Sequence, residues 1–534
     1  MIAPPQHTSV LIVGAGPSGL MMAAQLLRYG IQPVIIDSKP GPTDQSKALA
    51  VQARSLEIYR QMGVVDRLLQ EGKKAKGLAY YKDGKHLAGL DLGEIGNDQT
   101  LFPYILLYPQ SKNERVLLDY LTQATCPVYW QTSLVSLKQL GSKSEATLQS
   151  GNDTYNITCD YVIGADGAHS VIRKQMGMHF KGDTYNHKFF LADVKLKAII
   201  DDQLVSLYID QRGFAGFFPL PEANTFRIVA SLPDELEQQD ENLTMNAVLP
   251  ALNSITKKDL QVEKLNWFTT YKLHHRMATA FSEANCFLIG DAAHIHSPVG
   301  GQGMNTGLQD AYNLAWKLAA VLKGQMVGNI LTSYADERMP VAKELLNTTD
   351  RIFNVVTSRS WFGNLLKRYV VPKVLKFGWE NNSIREQFFK RASQTGISYR
   401  DSKLSLSLGR PTDIKAGDRL PYLEIFDEKK KALTDIHTWC AKPGFTLLTF
   451  GHVQESFLFA IAKWLTQDYN GAINFFHLPY SSANQKVFDV LQITEGTRKA
   501  VIVRPDMHIG YLNDLIDIGM MDNYLHNIAG FTYL

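Results

Sequence analysis

Residues 14–19, Gly-Ala-Gly-Pro-Ser-Gly, follow the apolar run Val10 to Val13 and open a stretch with apolar positions at Leu20, Ala23, Ala24 and Leu27. A second apolar run, Pro33 to Ile36, closes on Asp37. Strand, turn, helix, strand and acid make a complete βαβ unit, and each residue type has a use. Gly14 makes the tight turn, Gly16 lets a pyrophosphate approach the backbone, and Gly19 lets the helix pack closely on the strand. The helix N-terminus faces the phosphates, and Asp37 is positioned to accept hydrogen bonds from ribose hydroxyls. The competing reading is a glycine-rich turn without a ligand. The complete unit argues for a dinucleotide, without deciding which one.

Two later segments each end an apolar strand on an acidic turn. Cys159 to Lys174 runs through Ile163-Gly164-Ala165-Asp166-Gly167 to a helix start that Ser170 caps, and Cys286 to Asn305 runs through Gly290-Asp291 to Gly300, Gly301 and Gly303. In the second, His294 and His296 invite a metal reading. With no third ligand nearby, turn and packing roles fit them better, so no metal site is expected.

An N-terminal GxGxxG, a central DG turn and a late GD turn, in that order, resemble the flavoprotein aromatic hydroxylases of the para-hydroxybenzoate hydroxylase type. Length and the C-terminal extension are similar to the phenol hydroxylase and polyketide hydroxylase subgroup. The motif-bearing likeness covers about residues 10–345. It implies FAD as cofactor and NADPH or NADH as reductant. It further implies contacts to FAD from Arg54 and Gln110, a shared flavin and nicotinamide role for Asp166 and Gly167, and Pro298 beside the reactive flavin carbon. Lys47 stands where relatives carry Arg; lysine keeps the charge but lacks the planar fork. Beside that likeness, Asp291 at a strand end can offer its carboxylate to a ribityl hydroxyl. The helix from Gly303, Met304 and Asn305 can aim N–H groups at the pyrimidine end of a reduced, anionic flavin. Without the likeness, Arg54 is equally an exposed helix arginine, Gln110 a loop glutamine, and the Asp166 turn a capped structural turn.

The elements that must position these residues fit a chain of 534 residues, long enough for two or three domains. The expected class is α/β: a Rossmann-like FAD-binding domain with an inserted antiparallel, substrate-covering sheet, and a thioredoxin-like α/β domain at the C-terminus. The expected boundaries are 1–180 with 276–345 for FAD binding, 181–275 for the sheet, 346–405 for a helical region and 406–534 for the C-terminal domain. The resemblance implies that this sheet covers the flavin with Gly216 to Pro221 as its nearest strand, and period two puts Phe217 and Phe218 on opposite faces, so one of them can reach a substrate. The mixed basic and apolar stretch Leu365 to Lys373 reads as a solvated helix face in preference to a membrane contact. Of two thiols needed for thioredoxin chemistry the C-terminal domain has Cys440 alone, which favours a structural or a dimer-forming role over redox work, the second of which would make a homodimer.

Composition is that of an ordinary globular protein, 45% apolar and 20% charged. A net charge of +3 from 55 basic and 52 acidic residues, without a basic run, argues against a nucleic-acid partner. Four cysteines at no chelating spacing, no signal-like N-terminus and no long apolar window point to a cytoplasmic setting. The activity implied by the resemblance is hydroxylation of a phenolic or polyketide aromatic substrate with O2, through a flavin hydroperoxide; no catalytic base can be named. FAD-dependent dehydrogenation, epoxidation and Baeyer-Villiger oxygenation are the alternatives within the fold, and a non-catalytic flavoprotein is the alternative outside it. None of the seven tryptophans lies in the W-x-W-x-I-P segment of a related halogenase.

Overall fold

The computed structural model describes residues 3–532 except 45, 47, 92, 198–199, 211, 238–242, 297–300, 358–380 and 429. Lys47, Pro298, Gly300 and the stretch Leu365 to Lys373 therefore lie outside the described residues.

The N-terminal strand His7–Val13 pairs in parallel with Val34–Ile36 on one side and with Asp153–Gly164 on the other. Cys286–Leu288 continues the parallel order beyond Asp153–Gly164. These strands carry near-continuous apolar runs because both their faces are covered; Val10, Leu11, Ile12, Val162 and Leu288 are fully buried. All the glycine-bearing turns leave this sheet at its carboxyl edge, where ligands bind in open parallel sheets.

Two contacts hold those turns together, and neither has room for a Cβ. At Gly14, whose φ is +106°, a side chain would overlap the Ala165 carbonyl, and a Cβ at Gly19 would overlap the carbonyl of Gly14. Ser18 meets Gly290 and Gly307 in the same way: a Cβ on either glycine would run into its hydroxyl, and one on Gly307 would come within 3.0 Å of Gly290 Cα. The helices Pro17–Arg28 and Gly303–Leu322 are thereby drawn against the same turn.

A second eight-stranded sheet contains Phe180–Leu196, Leu204–Ile209, Phe214–Pro219, Thr225–Ser231 and Val262–Ala278. It differs from the expected 181–275 insert in also taking the hairpin Gly77–Lys82 and Lys85–Asp91, whose first strand pairs in parallel with Leu204–Ile209. One face is sealed by the helix Met245–Thr256, which buries Phe190, Phe217, Phe226 and Ile228. The opposite face carries the half-buried Leu207, Phe218, Val229, Trp267 and Tyr271, placed there by the strand register.

The helix Thr332–Thr357 leads to Asn382–Ala392 and then to a C-terminal five-stranded sheet. Phe445–Gly451 lies parallel to Ile473–Leu478 and antiparallel to Arg498–Val503, which pairs antiparallel with Ile509–Asn513. Its apolar residues share one core with the first, largely parallel sheet, from Val10 to Phe531. No helix among the described residues is long and apolar enough to cross a membrane.

Replacing Gly19 by Ala sets a helix-propensity gain of about 1 kcal/mol against overlap with a backbone carbonyl, which cannot rotate away. Overpacking of this kind costs about 1–3 kcal/mol. We therefore expect Gly19→Ala to lower stability by up to about 2 kcal/mol, read as a reduced urea midpoint for the apoprotein.

Candidate flavin site

The first turn offers a cradle. A Cβ built on Gly16 meets nothing within 4 Å, although the neighbouring Gly14 and Gly19 are crowded by backbone. This is the space a phosphate needs at a helix N-terminus. Asp37 ends the second strand and is buried, its carboxylate accepting the Ala15 N–H at 2.7 Å and the Lys39 N–H at 2.8 Å. It thus braces the turn as well as facing it.

At the DG turn, Asp166 Oδ2 accepts the N–H groups of Val171 and Ile172 at 2.7 and 3.3 Å, and Ser170 accepts that of Arg173 at 3.0 Å. Asp166 Oδ1 is buried with no partner. Burial raises the Asp166 carboxyl above the usual carboxylate range, against the pull of those hydrogen bonds. An orphaned buried acceptor costs stability unless a group supplied from outside meets it. Gly167, at φ +74°, leaves open space beside it.

At the GD turn, Gly290 adopts φ +57° and Asp291 is exposed. The following helix begins at Gly303, so by geometry the N–H groups of Gly303, Met304 and Asn305 have no intrahelical acceptor. The Asn305 side chain itself is fully buried and occupied. Its Oδ1 accepts from Gln52 N–H and Ser55 Oγ, and its Nδ2 donates to the Ala50 and Gly301 carbonyls. What Asn305 presents to a ligand is therefore backbone.

Gln110 and Ala48 form a reciprocal pair: Ala48 N–H donates to Gln110 Oε1 at 3.2 Å and Gln110 N–H donates to the Ala48 carbonyl at 3.0 Å. Arg227 of the second sheet reaches the same carbonyl at 3.3 Å, its remaining donors gripping Asp193 at 2.7 Å twice. Phe218 packs against a cluster that includes Leu49, Ala50, Val205 and Leu220, and Gly301 approaches Ala50 of that cluster, whereas Phe217 is sealed in the opposite core. Of the two, Phe218 faces the flavin-site side.

Arg54, the expected FAD contact, is held by partners within the protein. It is 2% exposed, and its guanidinium donates to Glu57 at 3.1 Å and to the Asp506 carbonyl at 2.6 Å. Its charge is spent on tying the second helical segment to the C-terminal domain.

Sequence reasoning missed Asp310. This fully buried carboxylate accepts from Gly290 N–H at 3.0 Å and His294 Nε2 at 2.7 Å through Oδ2, and from Arg338 Nε at 2.7 Å through Oδ1. It locks the GD turn to the helix, and it accounts for His294 as a turn residue. The available signal was polar Asp310, Asn313 and Lys317 down one face of an otherwise apolar helix.

Burial pushes the Asp310 carboxyl up, but the Arg338 guanidinium and the His294 ring outweigh it and leave the group lowered to about 2. A folded value below that of the unfolded chain means stability that is present above pH ~4 and lost as pH falls towards 2. Between those limits the wild type should lose about 2 kcal/mol more than Asp310→Asn. At neutral pH that variant should already be less stable by about 3–5 kcal/mol, because Arg338 is left buried without its partner. Urea denaturation across pH measures both.

A family model described as an FAD binding domain matches residues 7–349. The chain is 32% identical to 6-methylpretetramide 4-monooxygenase of Streptomyces rimosus over 404 residues, 75% of this chain and 71% of that one. It is 32% identical to pentachlorophenol 4-monooxygenase of Sphingobium chlorophenolicum over 424 residues, 78% of this chain and 76% of the relative. The solved structure of OxyS anhydrotetracycline hydroxylase from Streptomyces rimosus superposes with a TM-score of 0.78 at 24% identity, covering 98% of this chain and 99% of the other, and shares the fold. With its dinucleotide turn, DG turn and GD turn gathered at one sheet edge, the chain belongs to the FAD-binding family of flavoprotein aromatic monooxygenases.

Proposed function

We propose that the protein holds FAD across the carboxyl edge of the first sheet, accepts hydride from NADPH or NADH, and uses O2 to hydroxylate a neutral phenolic or polyketide ring lying against the second sheet. The observation that carries this reading is the convergence of the open Gly16 cradle, the unpartnered Asp166 Oδ1 and the exposed Asp291 on one edge, faced by an aromatic wall. FAD, when bound, supplies the redox and oxygen chemistry.

The chain's own residues bind and orient. Gly14, Gly16 and Gly19 admit the pyrophosphate, Asp37 faces the adenosine ribose, and Gln110 holds the Ala48 loop beside it. Asp291 accepts from the ribityl chain. Asp166 with Gly167 serves the flavin and the nicotinamide, and the N–H groups of Gly303, Met304 and Asn305 stabilise negative charge at the pyrimidine edge.

The substrate's ring rests on Phe218, and Trp267 and Tyr271 lie on the same face across two intervening strands, beyond Arg227 and Asp193. The preference for a neutral ring is supported by Arg227, a cation on this wall that Asp193 already neutralises in a two-pronged pair. Closing an aromatic wall over the ring excludes water from the oxygen chemistry.

The strand order of the C-terminal sheet, with two antiparallel strands beside a parallel pair, supports a thioredoxin-like domain, and its Cys440 is buried. Four cysteines, all free, support a reducing cytoplasmic setting.

Anaerobic mixing with NADPH and with NADH, each with simple, polycyclic and carboxylated phenols, tests the proposal. Bleaching of the flavin absorbance should accelerate with one neutral phenolic, and Phe218→Ala should weaken that compound's binding about tenfold, the equivalent of losing one buried ring. Phe217→Ala should instead cost about 3–5 kcal/mol of stability. A flavin that neither nicotinamide reduces under any of these conditions contradicts the reading.

A further inference from the structure

Arg338 joins the two elements that would hold the flavin. Its Nε donates to Asp310, which fixes the GD turn through Gly290 N–H, and its Nη2 donates at 3.2 Å to the carbonyl of Thr306, in the first turn of the helix after the glycine loop. Its third donor, Nη1, reaches the hydroxyl of Tyr399 at 3.0 Å. Arg338 is fully buried and Tyr399 is 5% exposed.

Tyr399 is in turn held by residues of the C-terminal sheet. Its ring lies 4.2 Å from that of His508, centroid to centroid, and the Arg504 guanidinium sits 5.3 Å from its centroid. Arg504 places two donors on Glu337, the sequence neighbour of Arg338, at 2.6 and 2.8 Å, and two on Asp506 at 3.1 and 2.6 Å. Glu337 also accepts from Lys317 at 2.8 Å and from Asn313 at 2.7 Å, both on the helix that carries Asp310. The run of contacts from the Arg504 turn to the GD turn is thus continuous and buried: ring contacts join Arg504 and His508 to Tyr399, and hydrogen bonds carry it on through Arg338 and Asp310. Networks of this kind hold their members in one arrangement.

We infer that Tyr399, backed by the Arg504–Asp506 turn, is a positioning residue for the cofactor site: the C-terminal domain sets the placement of the GD turn and of the helix N-terminus through Arg338. The inference rests on the FAD reading above. It assigns the C-terminal domain a part in flavin binding that a purely structural or dimer-forming appendage would not have.

Tyr399→Phe removes one oxygen and keeps the ring against His508, so it isolates the link to Arg338. Tyr524→Phe is the matched control: its buried hydroxyl donates to the Leu404 carbonyl at 3.0 Å, and that bond is not a link in the run. On full-length protein we would measure FAD affinity by flavin fluorescence, the visible spectrum and reduction potential of the bound flavin, and the apoprotein melting temperature. Losing the acceptor for a charged donor should raise the FAD Kd about tenfold in Tyr399→Phe and alter the flavin spectrum and potential, while Tyr524→Phe leaves all three at the wild-type values. The inference is overturned if the two variants lose similar melting temperature and both retain wild-type Kd, spectrum and potential. If the wild type itself binds no FAD, the underlying reading fails together with it.

Discussion

The architecture depends on a close approach that only glycine permits. Ser18, Gly290 and Gly307 meet without space for another Cβ, and Gly14, Gly19 and Ala165 do the same a turn away. Because these contacts belong to three different stretches of the chain, they bring the nucleotide turn, the DG turn and the GD turn to one edge of one sheet. Atoms that would be side chains elsewhere are replaced here by backbone, and backbone N–H groups are what a phosphate or an anionic ring needs. The second sheet follows from this placement: its sealed face packs on its own helix, and the face left over has the flavin side to cover.

Packing backbone against backbone leaves polar groups inside, and the protein meets them with buried charge. Asp310 satisfies the Gly290 N–H, and the pairs from Arg338 through Glu337 to Arg504 and Asp506 complete the layer. Desolvation opposes each of these charges. Lys317 is lowered to about 8 by burial, even with Glu337 beside it raising it. Buried ion pairs often contribute little net stability compared with apolar packing. Their value here is directional, since each hydrogen bond fixes one element relative to another.

The glycine turns, and the places of Asp37, Asp166 and Asp291 at strand ends, are legible because local rules govern them: a strand followed at once by a glycine turn and a helix has few other readings. The parallel core was legible for the same reason, from unbroken apolar runs. The rest depended on pairing across long separations. The hairpin Gly77–Asp91 alternates like any strand pair, and nothing local says that it joins Leu204–Ile209 rather than the nearer sheet. Period two separated Phe217 from Phe218, but which face looks to the flavin side was set by the helix Met245–Thr256 covering the other. Nothing local to Arg54 points to its partner across the fold, the Asp506 carbonyl some 450 residues away. Asp310 and Tyr399 carry no motif, because what they do depends on partners from other elements: Gly290, His294 and Arg338 for the one, Arg338 and the Arg504 turn for the other.

The central claim is that oxygen from O2 enters an aromatic substrate at the expense of a nicotinamide. The most direct measurement is turnover under ¹⁸O2 with the phenolic that accelerates flavin reduction, followed by mass spectrometry of the product alongside nicotinamide consumption. The account predicts one ¹⁸O atom per product molecule and one nicotinamide oxidised for each. Product formed without the label, or nicotinamide oxidation that yields only hydrogen peroxide with every phenolic tested, would contradict it.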